Sequence, residues 1–271
     1  MSDTVVSLSH NKFTVDCRDI SELKDKVVIY AHHTNDKKIS RSVSSQLDNW
    51  NRLGWKIVVV DCSENIQLPW PDYVHTTIKR ENIANDFGSW CVALHALPEI
   101  KFAKKVLLAN SGMVGPFYPF DDLLDKFESS EDDVWGVTTS DEISWHIQSY
   151  WIGFSNNSLL NPVISNFWKN IKPIENKMEF IISYEIGFGS LIKENNISHG
   201  VAFPQELFPN CPGDPGLFYW VELLDMGRPF LRRRYINRLG LYEVLGRVGG
   251  YGQNIIDMVV ESSSENLNSE V

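Results

Sequence analysis

Short unbroken apolar runs alternate with stretches whose apolar residues recur at helical spacing, and this alternation organises residues 26–155. Residues 27–30 (VVIY) read as a buried strand that empties into the polar Ala31-His32-His33-Thr34. Over residues 41–53, Val43, Leu47, Trp50 and Leu53 share one helical face, and Gly54 stands where a C-terminal cap belongs. Residues 56–60 (KIVVV) then form a second strand ending on Asp61. Strand, helix and strand make a βαβ unit whose right-handed crossover sets both strands parallel. The spacing goes on to predict a strand at residues 73–78, a helix from about 86 to 97 and a strand at 105–109. A helix after Pro119 presents Phe120, Leu123, Leu124 and Phe127 on one face, and strands follow at 134–138 and 146–154. The fold class expected is α/β, a mostly parallel sheet flanked by helices on both faces.

The pattern then changes. Residues 162–171 and 178–193 read as helices, 201–216 are rich in Pro and Gly and read as loop, and residues 227–250 carry six arginines against one acid, Glu243. The last ten residues, SSSENLNSEV, lack apolar periodicity and are expected to fray. The divisions expected are a polar lead-in (1–25), a single domain (26–240) with halves at 26–140 and 141–240, and a C-terminal extension (241–271).

Across the 271 residues, 25 Lys+Arg oppose 35 Asp+Glu, a net charge of −10 that argues against a general nucleic-acid binder. The 43% hydrophobic share, with nine Trp, is ample for a folded core. Four scattered cysteines, with no CxxC pair and no His at zinc spacing, point to reduced thiols and no structural metal. The first residues lack a basic start before an apolar run, and no stretch approaches the ~18 uninterrupted apolar residues of a membrane span, so a cytoplasmic protein is expected.

In an open parallel sheet ligands bind beyond the carboxyl ends of the strands. Here those exits carry His32 and His33, then Asp61, then the segment from Arg80 through Asn82 and Asp86, then Asn110-Ser111-Gly112. Asp86 stands where it can cap a helix, or with Asn82 hold a ribose or base. The small residues at 110–112 leave room for a diphosphate against the backbone, although a tight turn uses the same residue types. GxGxxG and GxxxxGK[ST] are both missing, which counts against dinucleotide oxidoreductases and P-loop enzymes, and no glycine-rich turn follows the first strand as in a methyltransferase.

Taken in order, VVIYAHHT, GWKIVVVD, RENIANDFGSW, LLANSGMVGPFYP, HIQSYWIGFS, SYEIGFG and MGRPFLRRRYI resemble the rhamnan synthesis protein F family, rhamnosyltransferases of bacterial surface-polysaccharide assembly, over residues 26–236. The resemblance implies a GT-A-like glycosyltransferase with a nucleotide-sugar half and an acceptor half. It implies Asp61 and residues 82–86 near the nucleoside and Asn110, Ser111 and Gly112 near the diphosphate. The donor it implies is dTDP-rhamnose, the acceptor a surface polysaccharide or lipid-linked glycan. Family members often read Asn-Asp-Ser where this chain has Asn110-Ser111-Gly112, and the metal-binding DxD of GT-A enzymes is absent, so metal-independent, inverting transfer is expected, with lost activity as the alternative.

Without a metal, the leaving diphosphate needs cationic side chains or backbone amides, for which Arg80, the two histidines and Arg232-Arg233-Arg234 are candidates. Those arginines can equally form a solvated face, or meet anionic lipid, with residues 227–250 touching the inner face of a membrane. Direct displacement needs a carboxylate to accept the acceptor's proton. Glu185 is the first choice, because Ile181, Ile182, Ile186 and Phe188 around it are expected to raise its pKa; Asp141 and Glu142 are the second. His146 and Gln148 can hydrogen-bond sugar or acceptor. A reading of another class is a catalytically silent glycan-binding or scaffold subunit.

Overall fold

The computed structural model describes residues 12–64, 66–155 and 157–267. Its centre is a mixed nine-stranded sheet built from β1 (Phe13–Cys17), β2 (Lys26–His32), β3 (Lys56–Asp61), β4 (Thr76–Arg80), β5 (Lys105–Asn110), and, after the short β6 (Met113–Val114), β7 (Val134–Ser140), β8 (His146–Ile147), β9 (Trp151–Ser155) and β10 (His199–Phe203). The spatial order is β1-β4-β3-β2-β5-β9-β7-β10, with β8 paired to β7. β4, β3, β2 and β5 run parallel, as the apolar runs predict, whereas β9 is antiparallel between β5 and β7.

Helices α1 (Arg41–Arg52), α2 (Asn85–Ala96), α3 (Asp121–Glu128), α4 (Pro162–Lys169), α5 (Lys177–Phe180) and α6 (Gly187–Glu194) cover the sheet. Alternate strand residues feed opposite cores, because successive side chains point to opposite faces. Val27, Ile29, Val58, Val60, Val106 and Leu108 pack with Trp90, Trp168 and Phe188. Val28, Tyr30, Ile57, Val59, Leu107 and Ala109 pack with Val43, Leu47, Trp50 and Phe127. Both faces of the central strands are therefore dry, which is why these strands read as continuous apolar runs rather than alternating ones.

Four features differ from the sequence reading. The 73–78 strand begins only at Thr76, since Pro69 and Pro71 break the approach and the Val74 amide closes a turn on the Pro71 carbonyl. The 146–154 strand splits: β8 pairs with the end of β7, the chain turns at Gln148, whose amide binds the Thr138 carbonyl, and β9 starts on the other side. The Pro/Gly-rich 201–216 segment begins inside β10, an edge strand parallel to β7 that ends before Pro204. The polar lead-in holds β1, antiparallel to β4, with residues 1–11 outside the described part.

The chain ends in a helical part: α7 (Pro215–Phe218), α8 (Trp220–Asp225), the strand β11 (Leu231–Arg232), α9 (Arg233–Leu239), α10 (Leu241–Val248) and α11 (Gln253–Leu267). The tail expected to fray is helical to Leu267, while residues 268–271 lie outside the described part. Earlier in α11, ahead of that tail, Ile255, Met258 and Val259 recur at helical spacing and bury against Val114, Tyr235, Ile236 and Val244. β11 pairs antiparallel with β6, and that ladder carries Arg232 and Arg233 to the exit of β5. Among the described residues no helix is long and apolar enough to cross a membrane.

Candidate functional site

Beyond the carboxyl end of β5 and the loop after β4 lies a cavity of about 610 Å³. Asp86, Asn110, Ser149, Tyr150, Glu185 and Arg232 to Arg234 line one side, and Ile174, Phe180 and Ile181 supply an apolar wall with Glu175 and Lys177 at the rim. Four elements remote in sequence thus converge at one strand exit, where open α/β sheets bind ligands.

Asp86 does not cap α2. The capping position is Ala84, held at φ +58 with no side-chain cap, and Asn85 follows at φ +46. A left-handed alanine costs about 1–2 kcal/mol. Its consequence is that the first turn of α2 aims Asp86 into the cavity. There Asp86 Oδ2 accepts a hydrogen bond from Asn110 Nδ2 at 2.9 Å, and Asn110 Oδ1 accepts from the Gly112 amide at 3.0 Å. Burial, reinforced by the negative charge of Glu185, raises the Asp86 carboxyl to about 6, with Asn110 opposing.

Glu185 behaves in the opposite way. It lies in a π-helical turn, residues Ile181–Ile186, between α5 and α6. Its Oε1 accepts from the Ser149 amide at 2.9 Å and from Ser149 Oγ at 2.8 Å, and Arg232 stands 3.7 Å away. Burial favours the protonated form, but Arg232 and Ser149 outweigh it and hold the carboxyl below its ordinary value. The expected raised pKa is therefore found on Asp86 and not on Glu185. The isoleucines next to Glu185 in sequence do not decide its charge, because its polar partners come from β9's approach and from β11.

Arg232 sits between two carboxylates, 3.7 Å from Glu185 and 3.7 Å from Asp214, and over the Tyr150 ring at 5.7 Å. Those charges raise its pKa above an already high value, so it is a permanent cation. Arg233 is pinned by its backbone, its amide binding the Gly112 carbonyl at 2.9 Å, and its side chain reaches the Ser111 carbonyl at 3.3 Å. Arg234 is more open and donates to Tyr235 Oη at 2.9 Å. The arginine run is thus no single solvated face: Arg228, Arg232 and Arg233 turn inward and Arg247 pairs with Asp225, leaving Arg234 and Arg238 exposed.

The other residues singled out by sequence fall elsewhere. His32 and Asp61 are 3% and 2% exposed, with His32 Nδ1 3.6 Å from Asp61 Oδ1 and Lys79 2.9 Å from Asp61 Oδ2. Burial lowers the His32 pKa and keeps the ring neutral. Burial alone would raise Asp61, yet the nearby His32 ring and hydrogen bonds from Ser63 and Lys79 bring it down to about 2. This pair ties β2 to β3 from within. Arg80 turns its guanidinium inward, donating to Ser89 Oγ at 3.0 Å and to the Ile83 carbonyl, and so holds the α2 approach. Asn82 is exposed on a different cavity of about 580 Å³, and His33 is exposed beyond β2. A cavity of about 840 Å³ under the 66–72 loop is walled by Trp70, His75 and the mutually engaged Asp61 and Lys79.

Asp141 and Glu142 lie exposed in the turn after β7 and do not line the 610 Å³ cavity. His146 and Gln148 are buried, His146 against the Ser144 carbonyl and Gln148 Oε1 accepting from Thr138 Oγ1 at 2.7 Å. Neither faces the cavity, because β8 is enclosed by β7 and α6. Sequence reasoning missed Ser149 and Asp214 altogether. The Asp214-Pro215 pair is a helix-start signal, and Asp214 does cap α7 through the Gly216 amide.

With this geometry in place, comparison with known proteins adds ancestry. The family model described as Rhamnan synthesis protein F matches residues 59–268. Virulence protein VirA of Vibrio anguillarum is 29% identical over 173 residues, 60% of this chain and 55% of that protein. The uncharacterized protein y4gN of Sinorhizobium fredii is 27% identical over 153 residues, 54% of this chain and 40% of its own. The chain therefore spans about half the length of these curated relatives. A glycosyltransferase involved in glycosylation of the major capsid of PBCV-1 superposes with a TM-score of 0.44 at 14% identity, covering 76% of this chain and 93% of that one.

Proposed function

The chain belongs to the rhamnan synthesis protein F family, and from that premise we propose that it is a glycosyltransferase whose 610 Å³ cavity brings a nucleotide-sugar to a glycan hydroxyl. The observation that carries the reading is the pairing of a carboxyl raised to about 6, Asp86, with a permanently charged Arg232 across one cavity. A general base works best with a pKa near the operating pH, and a leaving diphosphate needs fixed positive charge.

In this reading the diphosphate lies against Arg232, Arg233 and the backbone at Gly112, where small side chains let it approach. Asp86 takes the proton from the acceptor hydroxyl as that oxygen attacks the anomeric carbon, and the bond to the diphosphate breaks on the opposite side, inverting the centre. Asn110 orients Asp86, and Glu185 keeps its proton affinity high. Arginine charge replaces a divalent ion as the stabiliser of the leaving group, so transfer proceeds without added metal. Rhamnose from dTDP-rhamnose is the donor the family name suggests, and a surface polysaccharide or lipid-linked glycan the acceptor. Within the 227–250 segment, Arg232, Arg233 and Arg234 line this cavity, which supports a role for them in holding the donor.

Thermal-shift measurements with dTDP-, UDP- and GDP-sugars test the reading. Stabilisation by at least one is expected; no shift with any of them, together with binding of glycan alone, overturns it in favour of a silent glycan-binding subunit.

A further inference from the structure

Arg232 is held 3.7 Å from each of two carboxylates, and only one of them, Glu185, lines the cavity. The other, Asp214, is 5% exposed and stands behind the guanidinium. Asp214 is itself fixed from several sides. Its Oδ1 accepts from the Gly216 amide at 2.7 Å, and its Oδ2 accepts from Tyr235 Oη. The Gln148 side chain, held by Thr138, favours the charged form of Asp214. A Cβ on Gly216 would sit 2.9 Å from Asp214 Oδ1, so glycine here lets the backbone amide approach the carboxylate closely.

We infer that Asp214 is a positioning residue for donor binding: it holds Arg232 off Glu185 and keeps its charge turned toward the diphosphate. The inference rests on the reading of the cavity as the donor site. An arginine facing Glu185 alone would close on it into a bidentate pair, the geometry that guanidinium and carboxylate prefer. That pair would neutralise the cation and occupy the donors that a diphosphate needs. With Asp214 at equal distance on the other side, Arg232 is shared between two anions and closes on neither. Tyr150 under the guanidinium sets its plane, and Tyr235, from α9, sets the position of Asp214. The arrangement explains why a buried acid sits outside the cavity yet within ion-pair range of its central cation.

The test is calorimetric binding of dTDP, UDP and GDP to the parent protein and to variants. Binding of at least one to the parent is the premise; its failure removes the donor-site reading itself, and is distinct from the outcomes below. Asp214→Asn keeps the shape and removes the charge, and is expected to weaken the best nucleoside diphosphate by roughly tenfold. In an Arg232→Ala background the same change is expected to cost much less, leaving only what passes through Arg234, 3.9 Å from the same carboxylate. Should Asp214→Asn fail to fold, Tyr235→Phe frees the carboxylate by removing one hydroxyl and is expected to weaken binding about threefold, again chiefly when Arg232 is present. Unchanged affinity in the single variant, or an equal loss with and without Arg232, overturns the proposal.

Discussion

Asn110 at the end of β5 donates to Asp86 in the first turn of α2 across 2.9 Å, joining two strand exits that lie 24 positions apart in sequence. The contact has two effects. It fixes where the Asp86 carboxyl points, and it leaves the second oxygen for another partner. Glu185 lines the same cavity, and its negative charge adds to burial in raising Asp86, while Glu185 itself is held below its ordinary value.

A first prediction follows for the pH dependence of transfer. The profile of kcat/KM is expected to fall on the acid side with an apparent pKa near 6, as Asp86 becomes protonated. Glu185→Gln removes the neighbouring charge that opposes ionisation and moves this limb to lower pH. Steady-state rates between pH 4.5 and 8 measure it. An acid limb that stays in place in the variant would show that Glu185 does not act on the titrating group.

Stability should move against activity at the same residue. The Asp86 carboxyl is raised in the folded state from 3.8 to about 6, so folding binds a proton in that window and the charged form costs stability as pH rises through it. Asp86→Asn removes this cost while keeping the hydrogen bond to Asn110. It is expected to raise Tm by roughly 2–6 °C at pH 8, with the gain vanishing toward pH 4. Melting curves at the two pH values check the sign; a lower Tm at pH 8 would contradict it.

Asp61 predicts the reverse sign. Its folded-state value near 2 lies below 3.8, so it contributes stability at neutral pH that is lost as pH falls through that interval. Asp61→Asn leaves the Lys79 ammonium without its anion. A loss of about 2–4 kcal/mol at pH 7 is expected, shrinking as pH approaches 2. Denaturant titration across pH measures this, and a loss independent of pH would place the effect in packing instead.

Gly153→Ala tests the core beneath the site. A Cβ there would lie 2.5 Å from the Phe127 ring, where β9 crosses between β5 and β7. Overpacking of this kind costs roughly 1–3 kcal/mol. Chemical denaturation is expected to show a lower midpoint with an unchanged slope, whereas a midpoint equal to the parent's would mean that Phe127 moves aside freely.

The central strands were legible because burial on both faces writes itself into sequence as VVIY, KIVVV and KVLLA. Helices α1 and α3 were equally plain, since a one-sided apolar stripe needs only local spacing. β9 was harder: its reversed direction depends on pairing with β5 and β7, which no local period encodes. The site divides in the same way. Asp86, Asn110, Glu185 and Arg232 to Arg234 could be named from chain position, and the structure brings them to one cavity. Their charge states could not be read, because Glu185 takes its hydrogen bonds from Ser149 and its counter-ion from Arg232, 36 and 47 positions away. Asp214 was invisible for the same reason, its local sequence announcing only a helix start.

The central claim is that Asp86 accepts the acceptor's proton in this cavity. The most direct measurement is the transfer rate of Asp86→Asn beside that of the parent, with the nucleotide-sugar that stabilises the parent and its glycan acceptor. A fall in kcat of roughly 10²–10⁴-fold is expected, with the dissociation constant for the nucleoside diphosphate unchanged. Transfer at the parental rate would contradict the account, and would move the proton acceptor away from Asp86.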